Sequence, residues 1–397
     1  MFVSRHRRRI DPVAVVAGFL IATATAAAVD PPGERTHPAV WRPEAAPRIA
    51  VAEAGAAMLD TTSVLVGGFT EDLAATAAVQ VRDPRRGWQP VGCSLLTARA
   101  GATVLPLDDD RLLVIGGWTG VLPDEVTRLE SIEICEPGRP HRRRATVSPF
   151  ATSEEGLEGH AAATLPDGRV VLVHRDRISV FDPASERWSA SSGIGTGCVH
   201  ATLVAVGADH LLLVGGEPAK DDATIRSIRI TSTGVECTDW TDGSIPPLRD
   251  STSIMIDRDR VLVVGGSIAG DSDPRTWILD VARREVRPGP RLPIEGGIAA
   301  ATLHRGGHGI LVVGGERRIE GRPVPPSGAA ILQIDRNAAR RLPDPPAPAI
   351  RTSILPTPAG VGRFGGYRYD PTTRGRRRAS VLDDAASLRL VPVVVAD

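Results

Sequence analysis

Six times in this 397-residue chain, an apolar run stops abruptly at two consecutive glycines. The stretches are VLVGG ending at Gly68, LLVIGG at Gly117, LLLVGG at Gly216, VLVVGG at Gly266, ILVVGG at Gly315 and, more weakly, VGRFGG at Gly366. One gap is double, and VVLVHR (Val170 to Arg175) fills it with the glycines replaced. The first glycine, or His174 in its place, falls at 67, 116, 174, 215, 265, 314 and 365. A period of about 50 residues belongs to blade-type repeats rather than helical solenoids.

Each unit keeps one internal order. A strand of small residues comes first, as in AGAAMLD, GATVLPL, HAAATLP, HATLVAV, STSIMID, AAATLHR and TSILPTP. A turn rich in Asp and Gly follows, then the apolar run with its doublet. A third strand comes after a polar loop: AAVQVRDP, SIEICEPG, RISVFDPA, SIRITSTG, TWILDVAR, AAILQIDR and ASVLDDAA. A weaker fourth follows, sometimes with a Trp, as in GWQPVG and RWSASSG. Four antiparallel strands repeated seven times predict an all-β propeller of seven four-stranded blades, with six blades as the alternative. An innermost strand lining a crowded axis wants Ala, Ser, Thr and Gly. A second strand covered on both faces is continuously apolar instead of alternating. At its end the chain must turn close to neighbouring backbone, which glycine permits. The pairs Gly67 and Gly68, Gly116 and Gly117, Gly215 and Gly216, Gly265 and Gly266, Gly314 and Gly315, and Gly365 and Gly366 are therefore read as structural.

The apolar strand, the doublet and a late Trp resemble the kelch repeat, over roughly residues 48–397, in a diverged, bacterial-type form. The kelch tyrosine is missing almost everywhere, since the chain has only Tyr367 and Tyr369, and the third unit lacks the doublet. Residues 30–47 read as a linker and ring-closing strand: AVWRPEAAPR (Ala39 to Arg48) is a candidate fourth strand of the last blade, with LRLVPVV competing for that place.

Residues 1–29 read as an export signal or, alternatively, a membrane anchor. A basic start precedes the charge-free stretch Val13 to Val29, and Ala26 and Ala28 form an A-x-A site before Asp30. The expected location is secreted or periplasmic, with attachment to the membrane if the segment is not cleaved. Export makes the four cysteines candidates for disulfides, Cys93 with Cys135 and Cys198 with Cys237, each joining strands of one repeat; four buried thiols are the other reading. Charge is balanced at 47 basic and 47 acidic side chains, which argues against a nucleic-acid partner.

No metalloprotease helix motif, P-loop or serine-nucleophile elbow is present, and the nine histidines lack metal-ligand spacing, so no metal or cofactor is expected. Asp108, Asp109 and Asp110 read as a charged hairpin turn rather than a Ca²⁺ site. A copper oxidase of galactose oxidase type needs a Tyr–Cys crosslink, yet no cysteine lies near the two tyrosines. SDPRTW (Ser272 to Trp277) is a poor imitation of a sialidase Asp-box. Two surfaces remain. The segments entering the first strands carry Arg99, Glu158, His160, His200, Arg249 and Arg351, a ring suited to an anionic ligand or, through His beside a carboxylate, to acid–base work. The loops after the doublets form the other, including the basic run Arg374 to Arg378. With aromatics at 4%, sugar binding is disfavoured. The reading is a monomeric, non-enzymatic module that binds a protein or surface ligand through loops on one face. The alternative is an enzyme or small-ligand receptor using the Arg/His mouth on an anionic or sugar-like molecule.

Overall fold

The computed structural model describes residues 39–390, apart from 84, 124, 140–142, 151–155, 219–223, 241–244, 296, 299–300, 307–308, 321, 327, 358–359 and 370–378. Residues 1–29, read above as an export signal or membrane anchor, and the basic run 374–378 lie outside the described residues. The chain forms seven small antiparallel sheets in a ring, a seven-bladed β-propeller. Blade 5 shows the plan: Thr252–Met255, Arg260–Val264, Thr276–Asp280 and Glu285–Pro288 pair in that order. The small-residue strands are innermost and lie beside one another around the axis, from Gly55–Leu59 through Thr103–Pro106 to Thr302–Gly306, and Ser353–Thr357 returns to Gly55–Leu59.

Blade 5 also shows why the second strand is apolar throughout. Val261 and Val263 pack with Val204, Leu212 and Val214 of blade 4. Leu262 and Val264, pointing the other way, pack with Ala301, Ile310 and Val312 of blade 6. Alternate side chains thus serve two inter-blade cores, so neither face admits a polar residue.

The doublet that ends this strand is an inter-blade link. Gly265 and Gly266 have φ of +60° and +99°. A Cβ on Gly265 would lie 2.1 Å from the Ile298 carbonyl oxygen, in the segment entering blade 6. That oxygen accepts the Gly266 N–H at 2.8 Å. The same bond runs from Gly68 to Arg99 (2.8 Å), from Gly216 to Leu248 (2.6 Å) and from Gly366 to Val51 (3.1 Å), each time to the next blade.

Three features depart from the sequence reading. In blade 3, where His174 and Arg175 replace the glycines, Val170–Asp182 stays in strand pairing along its whole length, with Arg175 at φ +56°. Leu172 and Phe181 pack in one cluster, so the chain doubles back at Arg175. Ser192–Ala205 then runs unbroken from blade 3 into blade 4, fusing the two into one seven-stranded sheet. In blade 7, Ala379–Val381 is not the third strand; it pairs with Tyr367–Tyr369 in a two-stranded ribbon. The third strand is Ala385–Leu390, whose residues 385–388 are buried while Ser380 is exposed. Ala39–Pro43 pairs with it as the outermost strand and closes the ring. Finally, Cys93 and Cys135 belong to adjacent blades, 1 and 2, rather than to one repeat. The side chain of Cys198 lies outside the described residues.

Candidate functional site

Two residues before the innermost strands of blades 1, 2, 3, 5 and 7, and at the equivalent point within Ser192–Ala205 of blade 4, the chain enters the left-handed region: Glu53 (φ +54°), Gly101 (+64°), Gly159 (+71°), His200 (+60°), Asp250 (+53°) and Arg351 (+56°). The corresponding part of blade 6 lies outside the described residues. These positions are bonded to one another. Glu53 N–H donates to the Arg351 carbonyl (3.0 Å), Gly101 to Glu53 (2.7 Å), His200 to Gly159 (2.8 Å) and Asp250 to His200 (2.9 Å). Backbone hydrogen bonds thus link these positions in two runs around the axis, Arg351–Glu53–Gly101 and Gly159–His200–Asp250, at the mouth of the ring.

A second tier comes from the residue after each doublet: Phe69, Trp118, Glu217, Ser267, Glu316 and Tyr367. Each of four bridges back to the residue before a ring position, as Ala52 with Phe69, Ala100 with Trp118, Arg249 with Ser267, and Ile350 with Tyr367. Strand-entry segments and doublet loops, read from sequence as two surfaces, are therefore one face.

Across blades 4 to 1 the side chains form a chain of alternating charge. His200 Nδ1 donates to Asp250 Oδ1 at 3.0 Å. Asp250 Oδ2 meets Arg318 at 3.2 Å, and Arg318 also meets Glu316 Oε1 at 2.7 Å. Glu316, 1% exposed, pairs through Oε2 with Arg351 Nε at 2.7 Å. Glu53 lies at the end, 4.0 Å from the same Nε. Burial pushes the Glu53 carboxyl upward; Arg351 opposes this, and Glu316 adds to it. Burial also pushes Asp250 up, but the hydrogen bond and charge of His200, with Arg318 and Arg249, outweigh it and hold Asp250 below the usual range. Tyr367 is 5% exposed, and its hydroxyl has no hydrogen-bond partner among the described residues. Burial, reinforced by Glu53, raises its pKa and keeps the hydroxyl protonated.

The opposite side of the mouth is different. Blades 2 and 3 contribute only glycine to the ring. The Trp118 ring stands over Gly101, 3.2 Å from where a Cβ would be, and Arg128 lies 4.9 Å from its centroid.

Of the residues singled out in the sequence, His200 and Arg351 are ring members. Arg249 sits one residue away and reaches Glu217 at 2.6 Å. Glu158 pairs with Arg128. His160 donates from Nδ1 to the Leu157 carbonyl (2.6 Å) and accepts at Nε2 from Thr103 (2.9 Å); burial lowers its pKa to about 4, so it is a neutral structural group. Arg99 is fully buried. It bonds the Gly116 and Ser131 carbonyls and pairs with Glu133, which also accepts the Leu96 and Thr97 N–H groups, so the Arg99–Glu133 pair clasps the segment connecting blades 1 and 2 onto blade 2. Glu53, Asp250, Glu316, Arg318 and Tyr367 were missed. Aligning the repeats on the first strand, rather than on the conspicuous arginines, brings Glu53 and Asp250 into register with His200 and Arg351. On the other face, Asp108 Oδ1 accepts the Asp110 and Arg111 N–H groups, and Arg111 bonds Asp108 and Glu186. This is a braced turn.

No family model matches the chain, and no curated protein matches it. Among solved structures it is similar to one titled "Structure of YjhT", with a TM-score of 0.54 and 13% identity over 74% of this chain and 98% of that one. That likeness extends to the fold alone.

Proposed function

We propose that this chain is a kelch-type propeller, exported through its N-terminal segment, that acts as a non-enzymatic binding module and seats a small, uncharged, hydroxyl-rich ligand in the mouth of the ring. The observation that carries this reading is the left-handed backbone at Glu53, His200, Asp250 and Arg351. Glycine fills the same position in blades 2 and 3, so the fold does not need a side chain there. Holding a non-glycine residue in this region costs about 1 kcal/mol each. Four such residues, all ionisable or charged and all facing one opening, are accounted for by contact with a ligand.

The ligand's class follows from the charges. Three carboxylates (Glu53, Asp250, Glu316) face two guanidinium groups (Arg318, Arg351), and both arginines are already paired. Among these groups no guanidinium is left over to draw an anion. An anion would have to displace carboxylates from the arginines, whereas hydroxyl groups can bridge the existing donors and acceptors. Trp118 adds an aromatic side chain to the blade 2 side of the mouth. Of the two ligand classes the sequence reading offered for this mouth, an anionic or a sugar-like molecule, this reading favours the second.

A thermal-shift screen of the full chain against neutral sugars and polyols, sugar acids and primary amines tests the reading. A ligand that binds only the native state raises the melting temperature. Neutral polyols are expected to do so in wild type, with Tyr367→Phe and Asp250→Asn weakening the shift. Stabilisation by sugar acids alone, or a polyol shift unchanged in both variants, would overturn it. One observation favours a second reading: the His200–Asp250 pair, braced by Arg318, is suited to act as a general base. Chemical turnover of a stabilising polyol, lost in His200→Gln, would move the assignment from receptor to enzyme.

A further inference from the structure

Two cysteines meet where blade 1 touches blade 2. Cys93 lies on Gly87–Ser94, the outer strand of blade 1, and Cys135 ends Ile132–Cys135, the third strand of blade 2. Their sulfurs are 3.1 Å apart, and both residues are 0% exposed. They share a cluster with Val79, Leu95, Val104, Leu112 and Val114. A covalent S–S bond is about 2.05 Å long, so about 1 Å of approach separates this contact from a disulfide. A metal does not account for the pair. Among the described residues no group of three His, Cys, Asp or Glu could hold one. The nearby Glu133 carboxylate is already taken by Arg99 and two backbone N–H groups.

We propose that Cys93 and Cys135 are joined as a disulfide that staples blade 1 to blade 2. The chemistry is thiol–disulfide exchange with a small-molecule or protein disulfide. The thiolate of one cysteine attacks the oxidant's disulfide, forms a mixed disulfide and releases the first oxidant thiolate. The second cysteine's thiolate then attacks the protein sulfur of that mixed disulfide and releases the other. Two protein thiols are oxidised by two electrons, one external disulfide is reduced to two thiols, and two protons pass to the medium or the departing thiolates. The hydrogen bond with the neighbouring Cys93 thiol, together with burial, pushes the Cys135 thiol well above its ordinary range, so in the folded chain it is protonated and inert. The exchange therefore belongs to folding, before the two blades close over the sulfurs, in a compartment that supplies such an oxidant.

The test begins with full-length chain unfolded in urea and dithiothreitol, then refolded with a mixture of reduced and oxidised glutathione. The product is acid-quenched, unfolded, alkylated with N-ethylmaleimide, digested and weighed. The expected species is a crosslinked peptide pair containing Cys93 and Cys135, two hydrogens lighter than the sum of the free peptides and lacking maleimide at both. A Cys93→Ala chain should show no such species and should carry maleimide at Cys135. Refolded wild type with maleimide at both positions, or with either cysteine joined to Cys198 or Cys237, would overturn the proposal. Because the wild-type measurement decides alone, a poorly folding variant leaves the test intact.

Discussion

Gly265→Ala probes the claim that the doublet exists to bring two blades together. The added methyl has two consequences. At φ +60° an alanine carries strain of about 1 kcal/mol that glycine does not. The new Cβ would also sit 2.1 Å from the Ile298 carbonyl oxygen, so the backbone entering blade 6 must shift. That oxygen is the acceptor for Gly266 N–H at 2.8 Å, and displacing it leaves a buried amide unsatisfied, which costs about 1–3 kcal/mol. The sum is about 3 kcal/mol. Urea denaturation followed by tryptophan fluorescence should show the midpoint falling with an unchanged slope. Gly138→Ala is the control: nothing lies within 4 Å of its Cβ position, and its stability should stay within about 0.5 kcal/mol of wild type. If the two variants denature alike, the doublet is not a close-approach device.

Acid should weaken the fold through its buried histidines. Burial lowers the pKa of His304 from 6.5 to about 4. The unfolded chain therefore takes up the proton first, and stability present above pH 6.5 is lost as pH falls toward 4, by roughly 3 kcal/mol for this group. A urea midpoint that does not move between pH 7 and pH 4.5 would contradict this. Glu133→Gln leaves Arg99 buried without its counter-charge and should cost about 3 kcal/mol or more in the same assay; wild-type stability would mean the pair is not a clasp. At His200, where φ is +60°, glycine should be more stable than alanine by about 1 kcal/mol, reversing the usual order. Alanine outperforming glycine there would remove the strain on which the proposed function rests.

The parts of the fold legible in the sequence are those the backbone demands locally. Val261 to Val264 must be apolar on both sides because two different cores receive them, and Gly265 and Gly266 must be small because of Ile298. Blade 3 hid its turn because Arg175 adopts positive φ without a glycine to announce it. Blade 7 misled because Ala379–Val381 has strand-like residues but pairs within its own loop, six residues before the real third strand. The mouth was half legible. His200 and Arg351 stand at ring positions, while Arg99, equally conspicuous, is spent on Glu133, a partner 34 residues along the chain on the third strand of the blade it leads into. Pairings of that kind join segments far apart in the chain, which no local pattern records.

The ring also separates the work of holding the molecule together from that of recognising a ligand. The links from blade to blade at the mouth are backbone bonds: Glu53 N–H to the Arg351 carbonyl, His200 to Gly159, Asp250 to His200. Any residue that tolerates positive φ can make them, so Glu, Gly, His, Asp and Arg all occupy one structural position without changing the architecture. The doublet links behave the same way, drawing on Gly266 N–H and the Ile298 carbonyl, whatever side chain residue 298 carries. A fold closed by such bonds can exchange nearly every side chain at its opening while keeping its shape. The side chains that remain strained there, at a cost in stability, are consequently the ones that report on the ligand.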